Sequence, residues 1–161
     1  MTVCIATVCE NNSKVIAASD RMITIEVPPI EFEHGIPKIE EISKTCVALT
    51  SGSALTYLDP FREVKSKLTR LTTPSIPEIV EKMTECYTEQ RKKKIEEELL
   101  KSRGFTFDSF YPNVRNLPPE IGITIDAQIQ GYDYDLAILL AGTDENGPHI
   151  YQITNPGTSA N

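Results

Sequence analysis

The chain has 161 residues, of which 40% are hydrophobic, so it is long enough for one domain with its own core and too short for two ordinary domains. Its formal net charge of −7 argues against nucleic acid as a partner, because such a surface would repel phosphates. No apolar run approaches the ~20 residues that cross a bilayer, and the N-terminus lacks the pattern of a signal peptide, so we expect a cytoplasmic protein that does not enter membranes.

The first fifty residues predict β-strands. Residues 2–9 are short, β-branched and apolar, and residues 14–19 form the returning strand of a hairpin whose turn is Glu10–Ser13. Further strands are expected at 22–26, 30–34, 37–42 and 45–50. The last of these is nearly all apolar and is therefore expected at the centre of a sheet.

Helical spacing follows over residues 54–68, where Asp59 and Pro60 either start the helix or mark a kink. The next helix has a capping box, since Glu78 follows Ser75 by three residues. Its expected apolar stripe consists of Ile79, Val80, Met83, Cys86 and Tyr87.

Beyond this stripe the chain becomes charged. Arg91–Lys94 followed by Glu96–Glu98 predicts a solvated helical extension, although the basic run could instead bind an acidic partner. Residues 102–120 hold aromatic residues and prolines without a clear period, and we expect a loop that packs down through its aromatic rings. The insertion as a whole is expected at about residues 88–121.

Strands are expected again at 121–129, 134–141 and 149–154, and the last two flank a turn from Gly142 to Pro148. Strands, then helices, then strands predict the α+β class, with a sheet layer and helices on at least one face.

The four cysteines show no C-x-x-C spacing and the chain has two histidines, so a zinc site of Cys and His is not expected. A site that combines Cys with Asp or Glu stays open. Without a signal peptide, Cys4, Cys9, Cys46 and Cys86 are expected to be buried reduced thiols rather than disulfides.

Residues 134–157 resemble a hairpin of the proteasome-type N-terminal-nucleophile (Ntn) hydrolases. An apolar strand ends in Ala-Gly, a short acidic turn follows, and Gly-Pro-x-Ile-Tyr-x-Ile precedes Pro-Gly. Four other segments resemble the family in the same order. They are the N-terminal strand, Ala17-Ala18-Ser19-Asp20-Arg21, Pro37-Lys38-Ile39 and Ala48-Leu49-Thr50-Ser51-Gly52-Ser53-Ala54. The likeness covers most of the chain apart from residues 88–121.

This resemblance implies a four-layer αββα sandwich in which an N-terminal threonine, exposed by processing, supplies both the nucleophilic hydroxyl and, through its α-amine, the base. Carried over by position, the nucleophile is Thr2 after removal of Met1. Lys38 is the lysine beside the nucleophile, where its positive charge lowers the pKa of nearby groups. Asp20 is the carboxylate that holds this lysine.

Ser51 and Gly52 fall where the family offers a backbone N–H to the developing oxyanion. The implied chemistry is coherent, because a free α-amine with a pKa of roughly 7.7–8.0 can activate a hydroxyl at neutral pH. A correctly aimed N–H adds a few kcal/mol of transition-state stabilisation. The mechanism requires no metal or organic cofactor.

Each assignment has a plainer alternative. Asp20 could form a turn and a surface ion pair with Arg21, and Lys38 could be an ordinary exposed lysine. If the N-terminal strand is aligned with the family on Thr-Val-x-Ile, Thr2 falls slightly later in the chain than the family nucleophile. Cys4 shares a strand face with Thr2, but as a nucleophile it would need different processing, and we expect a core thiol.

The second helical layer of the family has no counterpart before Asn161. The expected fold is therefore a single Ntn domain over residues 1–161 with an incomplete sandwich, and the chain is either a reduced member or, as we expect, a fragment. A sheet face without its helices exposes apolar surface. We expect that face to be buried against another copy in a homo-oligomer.

The preferred function is that of a threonine-type Ntn hydrolase, similar to the proteasome β-subunit type, that acts on peptide or amide bonds of a peptide or protein substrate. The alternative is a non-catalytic member that serves as a ring or dimer assembly module, as α-type proteasome subunits do. An unrelated α+β binding domain is a third possibility. The substrate is not specified by the sequence, because specificity would depend on the loops at 22–36 and 102–120.

Overall fold

The computed structural model describes residues 2–25, 30–33, 38–52, 58–69 and 73–161. Some residues used in the sequence predictions lie outside the described ranges: Met1, Pro28, Pro29, Pro37, Ser53, Ala54 and Leu55. Within the described residues, strands lie at both ends of the chain with helices between them, which is the expected α+β class.

The strands form three antiparallel groups. β1 (Cys4–Cys9) pairs with β2 (Lys14–Ser19), and β3 (Met22–Ile25) pairs with β4 (Ile30–Glu33). A five-stranded sheet has the order β5-β6-β7-β8-β9. Its members are β5 (Ile39–Ser43), β6 (Cys46–Gly52), β7 (Leu136–Asp144), β8 (Gly147–Thr154) and β9 (Thr158–Ala160). The strand expected at 45–50 is β6, which has a neighbour on each side as its apolar sequence predicts, although β7 is the central strand. Strand β9 was not expected.

The α-helices lie between β6 and β7. They are α1 (Leu58–Leu68), α2 (Ile76–Ile95), α3 (Phe107–Asn113) and α4 (Pro119–Gln130). A π-helical turn (Glu96–Leu100) and a 3₁₀ turn (Lys101–Arg103) extend α2 as far as Gly104, and a 3₁₀ turn (Val114–Asn116) follows α3.

The two faces of the five-stranded sheet have different neighbours. One face of β7, which carries Leu136, Ile138 and Leu140, forms a core with the buried sides of α1 and α2. The β1–β2 hairpin contacts β6, β7 and β8, and Ala17 faces the side of the sheet that carries Ala141. The structure thus places a hairpin, a sheet and helices in successive layers.

Helix α2 begins and packs as its sequence predicts. The Ser75 hydroxyl accepts from the Glu78 N–H, and the Glu78 carboxylate accepts from the Ser75 N–H at 2.8 Å, so the capping box is confirmed. The expected stripe Ile79, Val80, Met83, Cys86 and Tyr87 is buried. Asp144 of β7 adds a second cap, because its carboxylate accepts from the Ile76 N–H at 2.9 Å.

The strand predicted at 121–129 is wrong, because these residues belong to α4. The alternation of Ile121, Ile123 and Ile125 suggested a strand, yet the first two of these side chains are exposed. The buried positions are instead Ile125 and Ile129, four residues apart, which is the spacing of one helix face. Pro119 suits the first turn of the helix that it starts.

The loop predicted at 102–120 is also partly wrong, since it contains α3. Thr106 and Ser109 form a reciprocal cap at the start of this helix. The expected packing through aromatic rings is confirmed: Phe110 is fully buried and makes an edge-to-face contact with Phe105 at 5.8 Å between ring centroids. These residues belong to a second, smaller core with Leu100 and α4.

The solvated extension predicted beyond the α2 stripe is wrong for one residue. Arg91 is buried and donates to the Asn155 side chain at 2.9 Å and to the carbonyls of Ile129 and Tyr132 at 3.1 and 3.0 Å. The three lysines that follow are exposed, as expected. Arg91 therefore connects α2 with the end of α4 and the segment after β8.

All four cysteines are free thiols, as expected. The expected burial is confirmed for Cys46 and Cys86 and is wrong for Cys4 and Cys9, which are partly exposed. Among the helices of the described residues, none combines the length and the apolar character that spanning a bilayer demands.

Candidate functional site

The ammonium group of Lys38 joins three of the segments singled out in the sequence. Its Nζ donates to Thr2 Oγ1 at 2.9 Å, to Asp20 Oδ1 at 2.9 Å and to the carbonyl of Met22 at 2.6 Å. The Lys38 side chain is only 14% exposed and that of Asp20 24%. Three acceptors around one ammonium saturate its three N–H donors.

Strand pairing explains why these residues meet. Thr2 precedes β1 and Asp20 follows β2, so the antiparallel hairpin brings them to the same end. The Asp20 N–H donates to the Val3 carbonyl at 3.1 Å, and the Val3 N–H donates to the Asp20 carboxylate at 3.2 Å. Lys38 comes from the other side, immediately before β5 of the larger sheet. The site therefore lies where the hairpin meets the larger sheet.

The turn of this hairpin has an unusual backbone. Glu10, Asn11 and Asn12 have φ values of 48°, 52° and 63°, in the left-handed region that Asn tolerates better than most residues. The Ser13 N–H closes the turn on the carbonyl of Cys9 at 3.2 Å. The turn thus returns the chain so that the end of β2 pairs with the start of β1.

The electrostatics favour an ionised Asp20. The hydrogen bond from Lys38 lowers the pKa of the Asp20 carboxyl below its ordinary value, and the Val3 N–H acts in the same direction against partial burial. The plainer alternatives, an Asp20–Arg21 ion pair and an exposed Lys38, do not describe this arrangement, because Asp20 pairs with Lys38 at 2.9 Å. An ionised Asp20 balances the charge of the ammonium that contacts Thr2.

Ser51 and Gly52 lie at the end of β6, where they pair with Ala137 and Leu136 of β7. Gly52 has φ +118°, and a Cβ placed on it would lie 2.1 Å from the carbonyl oxygen of Asp135, so only glycine fits. In the described part of the chain, the Lys38 ammonium bonds to neither residue. The residue before them, Thr50, donates its N–H to the Lys38 carbonyl at 3.0 Å.

Cys4, the other nucleophile weighed from the sequence, is partly buried beside this cluster. Its Sγ donates to the carbonyl of Thr50 at 3.4 Å. Burial raises the pKa of the Cys4 thiol, with the charge of Asp20 adding to this effect and that of Lys38 opposing it. The thiolate is the reactive form of cysteine, so these surroundings disfavour Cys4 as a nucleophile.

A second cluster bears on the open question of a Cys and carboxylate metal site. Ligand atoms of Glu63, Cys86 and Glu89 lie within 4.8 Å of one another. The Lys67 ammonium is 3.0 Å from Glu63 and 3.3 Å from Glu89. Burial raises the pKa of the Cys86 thiol to about 11. Both carboxylates of this cluster pair with the Lys67 ammonium, so the described residues form an ion-pair network here.

Two contributors to the Lys38 site were missed in the sequence. The carbonyl of Met22 accepts from the ammonium, and the amide of Thr50 fixes the Lys38 backbone. Both contacts are made by backbone atoms that nearly every residue type supplies. The residue types in the sequence therefore do not identify these two positions.

Comparisons with known proteins match part of the chain to a proteasome subunit. No family model matches the chain. A stretch of 59 residues, 35% of the chain, is 41% identical to the proteasome subunit alpha type-1 of Drosophila melanogaster. The match covers 21% of that relative, so the chain spans about a fifth of the length of the curated protein that it matches. Part of this chain is thus similar to a proteasome subunit, and the similarity assigns no activity.

Proposed function

We propose that residues 1–161 form one proteasome-like Ntn domain with an inserted helical segment at about 88–121, and that this domain hydrolyses peptide or amide bonds with Thr2 as the nucleophile. The contact that carries the proposal is the 2.9 Å hydrogen bond from Lys38 Nζ to Thr2 Oγ1, together with the 2.9 Å contact from Lys38 to Asp20. A hydroxyl oxygen that accepts from an ammonium has its lone pairs beside a positive charge, which stabilises the alkoxide character that develops during attack.

The proposed reaction begins with removal of Met1, which frees the α-amine of Thr2. The neutral amine takes the proton from the Thr2 hydroxyl while Oγ1 forms a bond to the substrate carbonyl carbon. The resulting ammonium returns a proton to the leaving nitrogen as the C–N bond breaks, which leaves an ester on Thr2. Water then attacks the ester carbonyl while the same amine takes a proton from it. The bond between the acyl carbon and Oγ1 breaks, the amine returns the proton to Oγ1, and the acyl group leaves as a carboxylic acid, which restores the free threonine.

The remaining residues have supporting roles in this proposal. Lys38 holds Oγ1 in place and stabilises its developing negative charge, while Asp20 orients Lys38. The N–H groups at Ser51 and Gly52, at the end of β6, are the proposed donors to the oxyanion. The proposed fold is the αββα sandwich, and the hairpin, the larger sheet and the helices packed on that sheet are the observations that support it.

The direct test is hydrolysis of a panel of fluorogenic peptide amides by the wild-type chain, Thr2→Ala and Thr2→Ser. We expect activity in the wild type, residual activity with serine, which keeps a hydroxyl, and none with alanine. Equal rates for wild type and Thr2→Ala would overturn the proposal.

A second candidate function is favoured by the partial similarity to a protein named an alpha-type subunit. In this case the chain is a non-catalytic assembly module. The outer face of the β1–β2 hairpin supports association, because Val3, Ile5 and Ile16 are 43%, 55% and 57% exposed on it. Sedimentation equilibrium at micromolar concentration tests it: a homo-oligomer supports the assembly role, and a clean monomer contradicts self-assembly.

A further inference from the structure

The Cys4 thiol makes a polar contact between the hairpin and the larger sheet. Cys4 lies on the inner side of β1, opposite Ser19 of β2, and is two residues from Thr2. Its Sγ donates to the carbonyl of Thr50, on the interior strand β6, at 3.4 Å. Because burial raises the pKa of this thiol, it carries its proton at neutral pH and can donate it.

Thr50 connects this contact to the lysine of the site. Thr50 is buried, and its N–H donates to the Lys38 carbonyl at 3.0 Å. The Lys38 ammonium in turn donates to Thr2 Oγ1 at 2.9 Å. Thr2, Cys4, Thr50 and Lys38 therefore close a ring in which two residues come from the hairpin segment and two from the larger sheet.

We propose that Cys4 is a positioning residue, which holds Thr2 against Lys38 by donating its S–H to the carbonyl of Thr50. Because Thr2 and Cys4 lie on one short segment, a shift of the start of β1 along β6 would move both contacts together. Nucleophile placement is sensitive to such shifts, since a displacement of about 1 Å can reduce a rate by roughly a hundredfold. This inference deepens the function proposed above and, in its kinetic part, rests on it.

The kinetic test compares inactivation of the wild type, Cys4→Ala, Cys4→Ser and Cys9→Ala by a threonine-directed epoxyketone. Cys9 is the matched control, because it is also partly exposed on β1 and its Sγ donates to the Lys14 carbonyl within the hairpin. We expect Cys4→Ala to lower the maximal rate of inactivation about tenfold, with the apparent inhibitor affinity changed by less than about twofold.

Rescue by the conservative variant separates positioning from loss of packing. Cys4→Ser keeps a donor, so its inactivation rate should exceed that of Cys4→Ala, and Cys9→Ala should match the wild type. The inference is overturned if Cys4→Ala retains the wild-type rate, or if the serine and alanine variants are equally slow.

Crystal structures of the wild type and Cys4→Ala supply a readout that does not depend on activity. We expect the Thr2 Oγ1 to Lys38 Nζ distance to increase from 2.9 Å to more than about 3.5 Å in the variant, with the fold retained. An unchanged distance overturns the inference even if the wild type is reactive. A longer distance in a protein whose wild type is unreactive supports the positioning role and contradicts the hydrolase proposal instead.

Discussion

The Lys38 ammonium lies 2.9 Å from the Thr2 hydroxyl, although 36 residues separate the two in the chain. The hairpin segment supplies the hydroxyl and the carboxylate, and the larger sheet supplies the lysine. Neither element forms the site alone, so its geometry depends on how the two are packed.

The first prediction concerns Lys38 itself. Replacing Lys38 with alanine removes the positive charge beside Thr2 Oγ1, and we expect the rate of Thr2 modification by an epoxyketone to fall by about 10²–10³. Inactivation kinetics followed by intact mass give this rate. Lys44→Ala is the control, because Lys44 is an exposed lysine in the β5–β6 turn and should leave the rate unchanged.

A second prediction follows from the proposed base. The α-amine of Thr2 must be neutral to accept the hydroxyl proton, so the rate of modification should rise with pH as the amine loses its proton and then level off. A free α-amine has a pKa of roughly 7.7–8.0, and the charge of Lys38 should move the rise below that range. The measurement is the inactivation rate between pH 6 and about 9. A flat profile over this range would contradict an amine base.

The lowered pKa of Asp20 predicts that the free energy of unfolding depends on pH. Its folded-state pKa lies below the ordinary value of 3.8, so it stabilises the folded state fully above that value, and this contribution disappears as pH falls through the lower folded pKa. Urea unfolding of wild type and Asp20→Asn should therefore differ at neutral pH and converge once the pH is below the lowered folded-state pKa of Asp20. Curves that differ by the same amount at every pH would show that the charge of Asp20 is not responsible.

Gly52 provides a steric prediction. Gly52→Ala would place a Cβ 2.1 Å from the Asp135 carbonyl oxygen at a φ of +118°, and we expect a loss of about 3 kcal/mol or more in the free energy of unfolding. Gly104 also has a positive φ, +78°, but a Cβ there meets no atom within 4 Å. Gly104→Ala should therefore cost only about 1–2 kcal/mol. Equal losses in the two variants would mean that the contact with Asp135 is not decisive.

Arg91 and Lys93 separate a buried cation from an exposed one on the same helix. Arg91→Ala removes the guanidinium that donates to the carbonyls of Ile129 and Tyr132 and to the Asn155 side chain, and we expect a loss of about 2–4 kcal/mol in the free energy of unfolding. Lys93→Ala should change it by less than about 0.5 kcal/mol. Chemical denaturation measures both, and a small effect at Arg91 would contradict its role in connecting α2 with α4.

Local signals explain which elements could be predicted from the sequence. The capping box of Ser75 and Glu78 and the buried stripe of α2 depend on residues three or four positions apart, and both were predicted. The Lys38 cluster was predicted through family resemblance, because no local pattern relates Thr2, Asp20 and Lys38.

The wrong predictions have tertiary causes. Ile121, Ile123 and Ile125 alternate as in a strand, but contacts with the second core select the helix face that contains Ile125 and Ile129. Arg91 was predicted to be solvated because it begins a basic run. Its acceptors come from residues 38 to 64 positions later in the chain. Such distant partners leave no trace in the local pattern of charges.

In the proposed hydrolase, Thr2 is a free N-terminal nucleophile beside Lys38. The most direct test is the intact mass of the purified wild type and Thr2→Ala with and without a threonine-directed epoxyketone. We expect the wild type to have lost Met1 and to carry one stoichiometric adduct, which Thr2→Ala does not form. A wild type that keeps Met1 and stays unmodified would contradict the hydrolase proposal and favour the assembly role.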